Sequence, residues 1–290
     1  MMQYCGPELS IADDAAKRGD FTAARGALRA LPLADFCEAV WHRAPGYSAL
    51  RKILPGMPTP EQQARWTGHS GSALLLKSAA VVRQIEMASW QTRGRAIRGP
   101  VLDYGCGWGR LTRMFLRFAE PDQIVGADPM EDSLTLCRNH NLPARLVPLQ
   151  PGSDTFPLRD LNADFALCYS VLTHTSRETT EAILKSVRCA VANDGLFCAT
   201  IRPVEFWKMR AGRIGADRAA ELIQAHDSTG YAFATHGKGG RELKEDAYGD
   251  SSYRIDLFAD LAAKCGWRFA GVDRDAHEPY QLLVKLVPAN

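Results

Sequence analysis

Asp103, Gly105, Gly107 and Asp128 are the residues whose types and spacing best support chemistry. Three of them lie in Val101-Leu102-Asp103-Tyr104-Gly105-Cys106-Gly107-Trp108-Gly109-Arg110-Leu111, an apolar run that ends near an acid and passes through glycines into a helix-like stretch. Glycine at 105 and 107 lets the chain turn sharply and lets a ligand approach where a Cβ would collide. A dinucleotide-binding loop needs glycine at its first, third and sixth positions, but the sixth position counted from Gly105 is Arg110. The Asp103 carboxylate would also repel a pyrophosphate, whereas it suits a ligand carrying an ammonium or sulfonium. Asp128 ends the next apolar run, where a carboxylate can accept both hydroxyls of a ribose. A plain strand-to-helix turn with packing glycines, and an acid at a helix N-terminus, are the simpler alternatives.

Proton transfer at neutral pH calls for histidine, and two of the seven are placed for it. His174 follows an apolar run at the edge where ligands bind in open sheets, with a capping or packing role as the alternative. His236 sits in Phe233-Ala234-Thr235-His236-Gly237-Lys238-Gly239-Gly240, an insertion able to reach over a pocket or simply exposed. His42, His69, His140, His226 and His277 read as surface or packing residues.

Holding these groups requires a particular frame. From Gly99, short apolar runs alternate with helical stretches, the pattern of a mostly parallel sheet covered on both faces. Strands are predicted at 101–104, 124–127, 144–147, 164–169 and 195–201, with helices at about 108–119, 131–139 and 178–191. Pro203 to Asp250 is a variable stretch, and Ser252 reads as the N-cap of a helix to Lys264. Residues 267–272 and 281–287 follow as two strands joined by a short turn, hence antiparallel. Upstream, residues 8–43 carry helical patterns broken at Gly19-Asp20, Pro45 to Pro60 form a loop-rich connector, and an amphipathic helix runs from Ser72 to about Gln91. The expected architecture is α/β, a seven-stranded mostly parallel sheet over residues 96–290 with an α-helical N-terminal extension over 1–95.

Composition narrows the partners. With 35 basic and 33 acidic residues the net charge is +2, too weak a field for a nucleic-acid backbone. The longest run free of charged residues, Phe165 to Ser176, falls well short of the ~20 residues of a membrane span. The eight cysteines form no Cys-x-x-Cys pair and no zinc-type spacing with histidine, so no metal site is expected. They lie singly in apolar runs such as Ala166-Leu167-Cys168, as buried thiols of a reducing compartment do. With no secretory signature in Met1 to Asp14, a cytoplasmic location is expected.

Asp103-Tyr104-Gly105-Cys106-Gly107-Trp108-Gly109 followed by Gly126-Ala127-Asp128 resembles the first two motifs of class I S-adenosylmethionine-dependent methyltransferases. Asp164 to His174 is similar to their fourth strand and the loop after it. Asn193-Asp194-Gly195-Leu196-Phe197 is similar to the turn before their fifth strand, usually written with Pro-Gly-Gly. The resemblance covers 99–202 by motif and 252–287 by topology, with the first hundred residues outside it. It implies S-adenosylmethionine as cofactor. Asp103 would hold the methionine ammonium, the Tyr104-Gly105-Cys106-Gly107 backbone would line the methionine part and Asp128 would bind the ribose. Pro129 and Met130 would flank the adenine, and the Ser170 carbonyl would meet the ammonium. For the acidic or amide side chain that often meets the adenine amine, only Gln150 or Asp154 is near.

Methyl transfer is an in-line displacement that needs positioning and desolvation, and no metal. An oxygen acceptor, or less readily a nitrogen, on a small molecule or glycan precursor is the leading expectation, with His174 or His236 as base. The Ser170 to His174 loop and the Gly230 to Gly249 region look similar to bacterial methyltransferases of small-molecule and surface-sugar biosynthesis. Arg202, Lys208, Arg210 and Arg213 would meet an anionic group on such an acceptor, or form a solvated helix face. A nicotinamide-dependent oxidoreductase and a non-catalytic subunit that keeps the fold are the rivals; the oligomeric state is left open.

Overall fold

The computed structural model describes residues 6–236, 248–275 and 277–289, which cluster into two compact units. One comprises the chain up to Trp90 together with Arg95–Pro148; the other comprises Gln91–Gly94 and the chain from Leu149 onward.

Six helices open the first unit: α1 (Pro7–Lys17), α2 (Phe21–Ala30), α3 (Leu33–His42), α4 (Ser48–Ile53), α5 (Pro60–Thr67) and α6 (Gly71–Arg93), whose last turn belongs to the second unit. Asp20 caps α2 by accepting from the Ala23 amide at 2.9 Å. Buried Asp13 accepts from the Ala49 and Leu50 amides at the start of α4. The expected loop-rich connector therefore holds two short helices. Its prolines start α5 instead of breaking it, because Pro60 occupies the first turn and Thr59 with Gln62 forms a reciprocal cap. On α6 the stripe Leu74, Leu75, Val81, Val82, Ile85 and Ala88 is buried as the three-and-four spacing predicts.

The same unit carries β1 (Val101–Tyr104), β2 (Ile124–Asp128), α7 (Glu131–Asn139) and β3 (Arg145–Pro148), with β1–β2 and β2–β3 parallel. Every residue of β1 and β2 is buried, as in strands covered on both faces. The helix predicted over 108–119 is a shorter 3₁₀ segment, Thr112–Arg117. Gly109, at φ +78°, keeps the chain out of helical conformation until after the loop.

The second unit holds β4 (Ala163–Cys168), α8 (Arg177–Ala190), β5 (Val191–Ile201), α9 (Glu205–Ile214), α10 (Ala216–Thr229), β6 (Tyr231–Thr235), β7 (Gly249–Tyr253), α11 (Ile255–Lys264), β8 (Trp267–Arg274) and β9 (Leu282–Pro288). β4 and β5 are parallel, while β9 runs antiparallel to both β5 and β8. β5 begins four residues before the predicted Gly195: Ala163 pairs with Val191 and Phe165 with Leu196, so the Asn193-Asp194-Gly195 turn is a bulge within the strand. Across the sheet the order is β3-β2-β1-β4-β5-β9-β8, seven strands, mostly parallel, with flanking helices.

Two further readings are corrected. The variable stretch contains α9, α10 and the antiparallel β6–β7 pair. Ser252 lies inside β7 and α11 starts after Arg254; the Ser252 hydroxyl is committed to Trp207 Nε1 at 2.6 Å and His226 Nδ1 at 2.8 Å. Among the described cysteines all are buried except Cys189, which faces solvent on α8.

Candidate active site

The glycine loop leaves the carboxyl end of β1 and is fixed by its own backbone. The amides of Gly105 and Cys106 both donate to the Ala127 carbonyl, at 2.7 and 3.0 Å. Gly105 and Gly107 take φ of +77° and +54°, which a side chain would resist. The Gly107 amide donates to Asp128 Oδ2 at 2.8 Å, and the Met130 amide donates to Asp128 Oδ1 at 2.9 Å. A Cβ built on Gly107 would stand 3.6 Å from Trp66 Cδ1, which places an indole of α5 beside the loop.

Asp103 is buried and accepts from the Thr112 hydroxyl at 2.6 Å. Burial pushes its carboxyl pKa up to about 6, against the lowering effects of that hydroxyl and of Arg110. A buried acid of this kind favours a cationic group beside it. Tyr104 and Cys106 are buried, Pro129 is half-buried, and Met130 is exposed at 37 %, open to a flat ring. Loop curvature, the two acids and the exposed Met130 together fit a ligand with ammonium, ribose and adenine parts.

In the second unit, Ser170 follows β4 with φ +58° and its amide donates to Thr200 Oγ1 at 2.7 Å, which turns the chain at the strand's carboxyl end. Its side chain pairs with Gln281. Gln150 and Asp154 are both exposed.

His174 and His236, far apart in sequence, meet at a single carboxylate, Asp250 of β7. His236 Nε2 lies 3.0 Å from Asp250 Oδ2 and His174 Nδ1 lies 3.3 Å from Oδ1. Arg202, just past β5, donates to Asp250 Oδ1 at 2.5 Å and to the Thr173 carbonyl at 2.7 Å; Arg210 of α9 reaches Oδ2 at 2.8 Å. Burial alone would raise the Asp250 pKa, but the His174 contact, the Arg202 charge and the His236 contact outweigh it and hold the carboxyl well below its usual range. Burial lowers the His174 pKa, and the Arg202 charge adds to this against Asp250, which favours the neutral imidazole. Tyr248 stacks on His174 at 5.5 Å and meets His236 edge-on at 5.3 Å.

Sequence reasoning missed Asp250 and Trp66. No spacing rule ties an acid in Gly-Asp-Ser-Ser to histidines on two other segments; two arginines and two histidines with no acid of their own were the available signal. Of the four basic residues after β5, Arg202 and Arg210 turn inward to Asp250.

Residues 101–195 match the family described as methyltransferase domain. No curated protein matches the chain. Among solved structures, DhpI in complex with SAH is 17% identical over 79% of this chain and 91% of that one, with a TM-score of 0.51. The PH0226 protein of Pyrococcus horikoshii OT3 is 15% identical over 79% and 97%, also at 0.51. Magnesium protoporphyrin IX methyltransferase (ChlM) of Synechocystis PCC 6803 with bound SAH is 14% identical over 79% and 94%, at 0.50. Residues 101–195 thus match a methyltransferase domain, and the seven-stranded sheet that contains them has the class I methyltransferase fold.

Proposed function

We propose that this methyltransferase acts on an oxygen, or less readily a nitrogen, of a small-molecule or sugar-type acceptor. Bound S-adenosylmethionine supplies an electrophilic methyl group on a sulfonium. Asp103 attracts the ammonium, the Tyr104-Gly105-Cys106-Gly107 backbone lines the methionine part, Asp128 takes the ribose hydroxyls, and Pro129 and Met130 flank the adenine. The observation that carries the oxygen preference is a pair of imidazoles gathered on Asp250 beyond the carboxyl ends of β4 and β5, a place for taking a proton from a hydroxyl. The net charge of +2 supports a small acceptor over a nucleic acid. Among the described residues no helix is long and apolar enough to cross a membrane. Residues 1–95 serve as a helical cap on domain 96–290, a reading supported by Trp66 beside Gly107.

Calorimetry with S-adenosylhomocysteine, then release of that product from S-adenosylmethionine across a panel of hydroxylated and aminated acceptors, tests this. One site per chain and turnover with a hydroxylated acceptor are expected. Binding of NAD with none of S-adenosylhomocysteine would support an oxidoreductase.

A further inference from the structure

We propose that Asp250 and His236 form the proton-accepting pair of this enzyme, and that His174 is a positioning residue whose lone pair is held by Arg202. The inference rests on the proposed methyl transfer to a hydroxyl and assigns its base.

His174, His236 and Asp250 offer ligand atoms that all lie within 4.8 Å of one another, a set that would suit a divalent cation. The arginines decide against it. Arg202 and Arg210 occupy both oxygens of the carboxylate, and with neutral imidazoles the five groups already sum to one positive charge. A second cation would have to displace a guanidinium from a side chain only 6 % exposed. The cluster is built to handle protons.

Donor and acceptor geometry then separates the two histidines. His174 Nδ1 is 2.9 Å from the Gly249 carbonyl, which only accepts, so Nδ1 carries the hydrogen. Its Nε2 is 3.0 Å from Arg202 Nη2, which only donates, so Nε2 is the acceptor. Both nitrogens are engaged, and a proton added at Nε2 would face a guanidinium. His236 has the opposite arrangement. Its Nε2 faces ionised Asp250 and must donate, which leaves the lone pair on Nδ1. Among the described residues Nδ1 has no hydrogen-bond partner, and 31 % of the side chain is exposed. Among the described residues, Asp250 from β7, Arg202 after β5, Arg210 from α9, His174 after β4 and Tyr248 beside β7 are the charged and titratable groups around it.

The step balances simply. The acceptor oxygen bonds to the methyl carbon, sulfur keeps the electron pair of the broken bond, and the hydroxyl proton passes to His236 Nδ1. Asp250 stabilises the resulting imidazolium through Nε2–H, while Arg202 and Arg210 keep Asp250 ionised.

Histidine ¹⁵N spectra of the full chain between pH 5 and 9 test the pair without any acceptor. The expected result is His236 as the Nε2–H tautomer and His174 as the Nδ1–H tautomer. Asp250→Asn should relax the preference of His236 for the Nε2–H tautomer, because the carboxylate that accepts from Nε2 is gone. The wild-type tautomers decide the question even if that variant fails to fold. His236→Gln should cut turnover of any acceptor found by ~10²–10⁴-fold, whereas His174→Asn, which keeps a donor toward Gly249, should cost far less. Zn²⁺ alone should show no binding that His236→Gln abolishes. A His174 whose Nε2 titrates near neutral pH, a His236 indifferent to Asp250→Asn, or His236-dependent Zn²⁺ binding would overturn the pair. Failure of S-adenosylhomocysteine to bind would instead remove the methyltransferase reading and leave the tautomers standing.

Discussion

The Gly107 amide and the Asp128 carboxylate, 2.8 Å apart, join the glycine loop to the end of the neighbouring strand. One side chain thus shapes the loop and, in the proposed reading, also receives the ribose. Asp128→Ala should weaken S-adenosylhomocysteine binding roughly 10- to 150-fold, since a hydrogen bond to a charged group is worth ~1.5–3 kcal/mol. It should also lower the melting temperature, because the Gly107 and Met130 amides lose their acceptor. Full affinity in a folded variant would place the ribose elsewhere.

Asp103 should make binding and stability respond to pH in opposite directions. Its folded-state pKa of about 6 lies above the ordinary 3.8, so the folded chain holds this proton more tightly than the unfolded one. Its contribution to stability therefore falls as pH rises from 3.8 to about 6, by an amount on the order of 3 kcal/mol. Asp103→Asn should melt higher than wild type at pH 7.5 and nearly level with it at pH 4. The same variant should bind S-adenosylmethionine poorly, and wild-type affinity should rise between pH 5 and 7 as the carboxylate forms. Calorimetry and thermal denaturation over that range check both.

Gly107 and Gly109 separate function from packing. Alanine at 109 would meet Leu142 Cδ2 at 2.5 Å in addition to its positive φ, so a loss of about 2–4 kcal/mol is expected. Alanine at 107 meets only an ordinary 3.6 Å contact with Trp66, so about 1–2 kcal/mol of backbone strain remains. Gly107→Ala should nevertheless lose more than tenfold in cofactor affinity, because its methyl group projects beside the loop. Urea denaturation and calorimetry on both variants test the contrast.

The N-terminal helices should prove inseparable from the loop. Arg29 donates to the Leu116 and Ala119 carbonyls and pairs with Glu120, and Arg117 donates back to the Arg29 and Leu31 carbonyls. Trp41 packs edge-on against Trp108 at 6.2 Å. A chain starting at Arg95 should aggregate on expression, and Arg29→Ala should cost about 1–3 kcal/mol by stripping carbonyls of their donor. A soluble, active truncated chain would show the helices to be an independent module.

The parts of the molecule legible in sequence are those where burial is written as apolar residues. β1, β2 and β4 read as short continuous runs because both faces are covered, and the glycine loop reads clearly because few sequences need so many positive-φ positions at once. β7 was hidden for the opposite reason. All five residues of Gly-Asp-Ser-Ser-Tyr are buried, but their polar groups are satisfied by distant partners: Asp250 by two arginines, Ser251 by the Leu172 carbonyl, and Ser252 by Trp207 and His226. Polarity that looks like a loop or a cap in one dimension is a strand once those partners arrive. The base assignment shared this fate: His174 looks available from position alone, and only Arg202 at its Nε2 shows that it is engaged.

Gln91, in the last turn of α6, accepts from Lys285 of β9, 194 positions further along the chain. During synthesis the early partner waits for β9 to emerge, as does β5, whose antiparallel neighbour is the same strand. A ribosome paused before Leu282 would leave β5 as a bare edge of buried apolar residues, able to pair with another nascent chain. β9 is thus a stitch that closes the edge of β5. Premature termination there should yield insoluble protein even though every glycine and acid of the methyl-donor loop has already been translated.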